Sequence, residues 1–169
     1  MTRSASSTTR ARLVAVLLAL SAINLALMIP GGFVETRDFR AYSAAVLAGF
    51  NIFLTVLGLG SLLLAWATWR SGVRPLWSWA AAVGFAAVYL LDLLKIFPIT
   101  PVPMSTLLAT LEWLGTALAC LLGAALIGTR ADATGEGTTG KGRPVALAVV
   151  LVIGGIAIVV FATISAMGG

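Results

Sequence analysis

Two acidic side chains lie inside long apolar segments of this 169-residue chain. Asp92 belongs to the apolar run that ends at Pro98, and Glu112 belongs to the next apolar run. A bilayer penalises a charge at its centre by roughly 2.5–3.5 kcal/mol on insertion scales, so acids in such segments usually have a structural or functional reason. Carboxylates at these positions can hold protons, bind a ligand or act as an acid and base pair.

The spacing around Asp92 suggests partners for its charge. Tyr89, Asp92 and Lys95 are three residues apart, which places them on one side of a helix. Lys95 is therefore the expected ion-pair partner of Asp92, and Tyr89 is the expected hydrogen-bond donor to a carboxylate. Two acids and one base still leave one carboxylate in excess, and a buried carboxylate without a partner favours its neutral form.

Two arginines of the polar segment before the second apolar run are further candidates to balance the excess charge. Arg37 and Arg40 alternate there with acidic and aromatic residues. Such alternation is typical of a hydrated connector, and it also fits an amphipathic segment resting on a membrane surface. Either arginine can then supply a positive charge to the acids.

The composition sets the environment in which these residues act. Hydrophobic residues make up 60% of the chain and charged residues only 10%, with a mean hydropathy of +1.05. Soluble domains contain about 25% charged residues. A single soluble core of this size cannot bury so much apolar surface, so the sequence predicts a multi-pass membrane protein in contact with the lipid bilayer.

Five apolar runs predict an all-α, polytopic transmembrane helical bundle with five spans. Residues 1–128 are expected to form a four-helix transmembrane core and residues 145–169 a peripheral C-terminal transmembrane helix, because that last run has no polar residue before Thr163. The segment 129–144 is rich in glycine, threonine and charge, which indicates a flexible linker. The first run continues past a poor cleavage site to spanning length, so it is interpreted as a retained helix and not as a signal peptide. The five runs cover residues 13–29, 46–68, 76–97, 105–127 and 145–167.

The basic residues at the ends of these runs predict an orientation. Eight lysines and arginines lie in the N-terminal tail, the loop at 70–75 and the linker, whereas Arg37, Arg40 and Lys95 lie on the other side. Cytoplasmic segments carry the excess of such residues. The expected location is the plasma membrane, with the N-terminus and the linker cytoplasmic and the C-terminus outside.

Depth along the helices gathers the polar residues into one layer. At 1.5 Å per residue, Asn24, Asn51, Asp92 and Glu112 each lie about 8–10 Å below the outer end of their span, and Lys95 lies about 4 Å below it. This coincidence predicts a polar pocket that opens outward. An alternative is structural packing, in which interhelical hydrogen bonds contribute about 0.6–2 kcal/mol each. The candidate ligand- or proton-binding residues are Asp92, Lys95, Glu112, Asn51, Asn24, Tyr89, Arg37 and Arg40.

Several classes of site are excluded or unsupported. The chain has no histidine and one cysteine, which excludes histidine-containing zinc sites, bis-histidine haem and an internal disulfide. No motif for a nucleotide, a catalytic serine or a metalloprotease is present. The net charge of +5 comes from residues at helix ends, so it does not indicate nucleic acid. We therefore expect no cofactor, no metal and no nucleic-acid partner.

A run of small residues on the fourth span predicts close helix packing. Gly115, Ala119 and Gly123 are four residues apart, a pattern that lets helix backbones approach each other. The partner of this surface is expected to be a second copy of the chain or another subunit of a membrane complex.

Three functions are compatible with these observations. The first is binding of a small ligand or protons in the outward-facing pocket, as a carrier component or a sensor. The second is a structural or assembly subunit of a membrane complex. The third is a membrane enzyme that uses Asp92 and Glu112 as acid and base, which ranks last because no nucleophile or metal motif accompanies them. The sequence names no substrate.

Overall fold

The chain is all-helical over the residues that the structure describes. The computed structural model describes residues 2–127 and 145–167, with the side chains of 7–127 and 153–167. It contains five helices and, within these ranges, no strand beyond an isolated bridge between Pro30 and Glu35. The expected linker at 129–144 lies outside the described residues. The helices are α1 (Thr2–Leu27), α2 (Ala44–Ser71), α3 (Pro75–Leu93), α4 (Thr106–Ile127) and α5 (Val145–Ala166).

Four of these helices, α1 to α4, are long and apolar enough to cross a membrane by length and composition. This agrees with a membrane protein and confirms the all-helical prediction. In α1 the candidate span is Ser7–Leu27, and the polar tail before it continues the same helix. The described part of α5 contributes a shorter apolar stretch, Ile153–Ala166.

The helix ends follow local sequence signals. Ser43 caps α2, since its hydroxyl accepts a hydrogen bond from the backbone N–H of Val46. The same helix ends at Gly72, whose φ of 88° lies in the left-handed region that glycine adopts without strain. Pro75 occupies the first turn of α3, where its missing N–H costs nothing. Ser105 caps α4 by accepting from the N–H of Leu108 at 3.1 Å.

The third span is shorter than expected. The prediction placed it at 76–97, but α3 ends at Leu93, and Lys95 has a φ of 55°. Phe97 precedes Pro98, and the residue before a proline is disfavoured in the helical conformation, so the chain leaves the helix a few residues earlier. The regular three-residue spacing from Asp92 therefore does not extend to Lys95.

α1 is the centre of the helix arrangement. It packs against both α2 and α4, and α3 packs against α4. The buried positions of α4 repeat at alternating intervals of four and three residues, which is the pattern of a helix that faces one continuous interface. α5 packs against α2 alone among the described helices, so it lies at the edge of the bundle. The buried α4 residues are Leu108, Glu112, Gly115, Ala119, Leu122 and Leu126.

Two connectors meet at one end of the bundle. The first connector (residues 28–43) joins α1 to α2, and the second connector (residues 94–105) joins α3 to α4. Tyr42 links them, because its hydroxyl accepts a hydrogen bond from the N–H of Ile99 at 2.6 Å and its ring packs edge-on to Phe97. We refer to this side of the molecule as the connector end.

Candidate functional site

Arg37 is the centre of a charged cluster at the connector end. Its Nη1 and Nη2 donate to Oδ1 and Oδ2 of Asp92 at 2.7 and 2.6 Å. Its Nη2 also donates to Oε2 of Glu35 at 2.6 Å, and its Nε to Oε1 of the same residue at 3.0 Å. One guanidinium thus forms two-pronged hydrogen bonds with two carboxylates, a geometry that suits its planar fork of donors.

The position of Arg37 depends on the first connector. The backbone N–H of Arg37 donates to Oε1 of Glu35 at 3.0 Å, which fixes the two residues in one compact turn. The side chains of Arg37, Glu35 and Asp92 are only 6%, 4% and 8% exposed. Burial works to lower the pKa of Arg37, but hydrogen bonds to Asp92 and Glu35 and their negative charges raise that pKa above its usual range. The arginine therefore stays charged.

Glu112 adds a third carboxylate to this cluster. It lies on the buried face of α4, is 4% exposed, and is within hydrogen-bonding reach of the Asp92 carboxyl. Its Oε2 atom is buried and has no hydrogen-bond partner among the described residues. Glu35, Arg37, Asp92 and Glu112 are called the Arg37 cluster below. Three buried carboxylates share one guanidinium there, which leaves an excess of acid.

A small cavity adjoins the cluster. Its volume is about 50 Å³, and all four residues of the Arg37 cluster line it together with Asn51. The other walls are apolar and come from α1, α2, α3, both connectors and the end of α5. They include Leu25, Met28, Phe39, Leu47, Phe50, Leu54, Val88, Phe97 and Ala166.

Asn24 and Tyr89 form a second polar layer beneath the cluster. The Nδ2 of Asn24 donates to the Tyr89 hydroxyl at 3.3 Å and to the backbone oxygen of Leu111 at 3.0 Å. The Tyr89 hydroxyl donates to the backbone oxygen of Ser21 at 3.4 Å. Sequence reasoning expected Tyr89 to donate to a carboxylate. That expectation is wrong for this structure, because the ring points its hydroxyl toward α1.

Gly115 makes this layer possible. A Cβ atom at that position would overlap the Tyr89 ring and lie 2.7 Å from Nδ2 of Asn24. Because glycine has no side chain, the Tyr89 ring fits between α3 and α4 at this position.

Asn51 approaches the cavity from α2. It is 4% exposed, and its Nδ2 donates to the hydroxyl of Thr163 on α5 at 3.1 Å. Asn51 thus joins the cavity wall and also ties the last helix to the bundle.

Lys95 and Arg40 lie outside the cluster. Lys95 is exposed and, within the described part of the chain, forms no ion pair, so the expected pairing with Asp92 is wrong because α3 ends before Lys95. Arg40 pairs with Asp38 at 2.6 Å, with side chains 69% and 36% exposed. The hydrogen bonds from Arg40 lower the pKa of Asp38 to about 2.

Sequence reasoning missed Glu35, which the structure places in the centre of the site. A signal was present in the repeated pattern of an acid, one residue and an arginine, at Glu35–Arg37 and Asp38–Arg40. Both copies form the same compact turn, since in each the arginine N–H donates to the acid at 2.9–3.0 Å.

The small residues of α4 are largely used within the chain. Gly115 and Ala119 are buried, and the nearest neighbour of Gly123 is the Trp79 ring of α3, 3.8 Å from where a Cβ would lie. The prediction of a second copy or complex subunit at Gly115, Ala119 and Gly123 stays a prediction.

A metal centre has no support in the described residues, where no three histidine, cysteine, aspartate or glutamate side chains are placed to hold an ion. No curated protein and no solved structure is detectably similar to the chain. A family model described as a domain of unknown function, DUF8051, matches residues 10–140. This range is well over half of the chain and includes α1 from Arg10 together with the whole of α2, α3 and α4, with the Arg37 cluster inside it. The chain therefore belongs to the DUF8051 family.

Proposed function

We propose that this protein is a multi-pass plasma-membrane protein that binds protons at the Arg37 cluster, as a carrier component or a sensor. The observation that carries the proposal is the count of charges in a buried space. Glu35, Asp92 and Glu112 are each at most 6% exposed, and among the described residues Arg37 is the cation that bonds to Glu35 and Asp92.

The energetics favour a bound proton. Isolated charges are costly to bury, and a buried group without a partner neutralises itself instead. Arg37 can compensate Glu35 and Asp92 only in part, and it makes no hydrogen bond to Glu112. Glu112 is therefore the carboxylate on which we place the proton.

Access to the site comes from the connector end. Beneath Asn24 and Tyr89, the core between α1, α3 and α4 is filled with fully buried apolar side chains such as Leu18, Phe85 and Leu122. An apolar seal of this kind restricts proton exchange to one side of the bundle. With the orientation expected from the basic residues, that side is the outside of the cell.

The proton proposal is tested by infrared spectroscopy of the purified protein in detergent. A protonated carboxyl group has a carbonyl band that a carboxylate lacks, so we expect such a band to disappear as the pH is raised. Glu112→Gln should remove this band, whereas Asp38→Asn, the same chemical change at an exposed acid, should leave it. A band that persists unchanged in Glu112→Gln would refute proton binding at this residue.

The orientation is tested separately by cysteine labelling of intact cells. Cys120 is exposed, so the scanning cysteines are placed in a Cys120→Ser background. An impermeant thiol reagent should label a cysteine at position 36 or 100 and spare one at position 72 or 137. The reverse pattern would place the cluster on the cytoplasmic side.

A further inference from the structure

Glu112 has an acceptor without a partner among the described residues, and the residue also lines an open space. Its Oε2 is buried and unpartnered among the described residues, and the residue lines the cavity of about 50 Å³. A water-sized group needs on the order of 10–15 Å³ of such cavity volume, so the cavity holds about three to five such groups. The space beside the acid is large enough for a small molecule as well as for a proton.

The chemistry of the wall selects the occupant. Glu112 and Asp92 supply acceptors, and Asn51 uses its Nδ2 on Thr163, which leaves its carbonyl oxygen as a further acceptor. An occupant must therefore donate hydrogen bonds and carry positive charge. A metal ion would need several oxygen ligands around it, and no three acidic side chains of the described residues are placed to hold one.

The remaining walls suit a short hydrocarbon stem. Phe39, Phe50 and Phe97 line the cavity, and the Arg37 guanidinium already lies 5.5 Å from the centre of the Phe39 ring. Aromatic faces attract cations, most strongly where water is excluded. A compact cation with an alkyl group can place its charge at the acids and its stem against these rings.

We infer that the cavity binds a small primary ammonium ion in exchange for the proton on Glu112. This inference rests on the proposed proton site and names the ligand class for it. In the exchange, Glu112 releases its carboxyl proton to solvent, and the resulting carboxylate accepts a hydrogen bond from the ammonium group. No covalent bond to the ligand forms or breaks, and the charge of the occupied site is the same before and after.

The titratable neighbours of Glu112 come from two elements. α3 supplies Asp92 and the phenol of Tyr89, and the first connector supplies Glu35 and Arg37. α1 places the neutral Asn24 beneath the cluster, and α2 and α5 line the cavity with Asn51 and Ala166, without a charge. The proton and the ammonium ion thus compete for the Glu112 carboxylate beside the fixed positive charge of Arg37.

The test uses methylammonium chloride and the full-length protein in weakly buffered detergent solution with a pH indicator. Binding should release about one proton per methylammonium bound and raise the melting temperature, since a ligand of the folded state stabilises it. The apparent affinity should weaken by about tenfold for each unit by which the pH is lowered while the site is protonated. Sodium chloride at the same concentration should do neither.

Two controls separate binding from general salt effects. Tetramethylammonium carries the same charge without an N–H donor, so it should neither stabilise the protein nor release protons. Asp38→Asn should respond to methylammonium as the wild type does, whereas Glu112→Gln should not respond. Equal effects of the two cations, or a full response of Glu112→Gln, would overturn the inference.

The outcomes distinguish this inference from the proposed function. If the wild type loses the protonated-carboxyl band with rising pH but methylammonium releases no protons, the proton site stands and the ammonium inference fails. If the band does not depend on Glu112, both fail. The proton-release measurement is made on the wild type, so it decides the inference even if Glu112→Gln does not fold.

Discussion

The first connector contains the same local structure twice, in opposite environments. Glu35–Arg37 and Asp38–Arg40 each form a turn in which the arginine N–H and its Nε donate to the acid two residues earlier. The shorter Asp side chain makes this contact as well as the longer Glu. Locally, the two motifs are equivalent.

Their surroundings separate them. Arg37 is buried and bonds to a second carboxylate on α3, whereas Arg40 is exposed and, within the described part of the chain, pairs only with Asp38. Exposed ion pairs contribute little because water and salt screen them, but removal of one member of a buried pair strands a charge. The comparison shows that the turn positions an arginine in both places and that the buried neighbours of Arg37 join it to a charged cluster.

The largest expected effect comes from deleting each arginine in turn. Arg37→Ala leaves Glu35 and Asp92 buried without their cation, so we expect a loss of about 3–5 kcal/mol of stability near neutral pH. Arg40→Ala should leave the stability unchanged within error. Equilibrium unfolding in detergent at constant ionic strength measures both.

The pH dependence of stability provides a second test of these two variants. Lowering the pH neutralises the stranded carboxylates, so the defect of Arg37→Ala should shrink in acid. Similar losses in the two variants at neutral pH would show that the buried motif is no more important than the exposed one.

A smaller effect is expected from the helix packing that places Asp92 opposite Arg37. Gly115→Ala puts a methyl group into the Tyr89 ring, and overpacking of this kind costs about 1–3 kcal/mol. Gly49→Ala is the matched control, since nothing lies within 4 Å of its added Cβ. Thermal unfolding should separate the two variants. The exposed Asp38–Arg40 ion pair should be unchanged in both. Equal stability of Gly115→Ala and wild type would mean that the α3–α4 contact is looser than described.

The sequence predicted the helices better than it predicted the ion-pair partners of the buried acids. Asn24, Asn51, Asp92 and Glu112 were expected at one depth, because regular spacing converts directly into height and face. Asn51, Asp92 and Glu112 line one cavity, whereas Asn24 lies in the layer beneath it. The predicted pairing of Lys95 with Asp92 was wrong because α3 ends before Lys95, at a turn that the prolines impose. Glu35 was missed because a connector has no periodicity, so its burial depends on contacts with α3 that spacing does not encode.

The proton proposed on Glu112 predicts a pH profile that the exposed motif lacks. If the folded state binds a proton that the unfolded chain releases, stability falls as the pH rises, by at most about 1.4 kcal/mol per unit for one proton. Glu112→Gln should flatten this fall in stability with rising pH. Lys95→Met should not change it, because Lys95 is exposed and, among the described residues, forms no ion pair. A profile of Glu112→Gln that parallels the wild type would place the proton elsewhere.

The smallest effect belongs to Asp38, and its sign is opposite. The Arg40 hydrogen bonds lower its pKa from 3.8 to about 2, so the folded state binds this proton less readily than the unfolded chain. The stabilisation is therefore complete above the higher value and is lost as the pH falls through the lower one. Asp38→Asn and Arg40→Ala should therefore each lose a stabilisation at neutral pH that lies within the error of unfolding measurements, and this difference from the wild type should disappear as the pH falls through the lower value. Added salt should reduce the difference at neutral pH because both side chains face water. Carbon NMR of the Asp38 carboxyl in the wild type and in Arg40→Ala measures the shift directly, and a pKa that does not rise when Arg40 is removed would show that the exposed motif lacks even this local coupling.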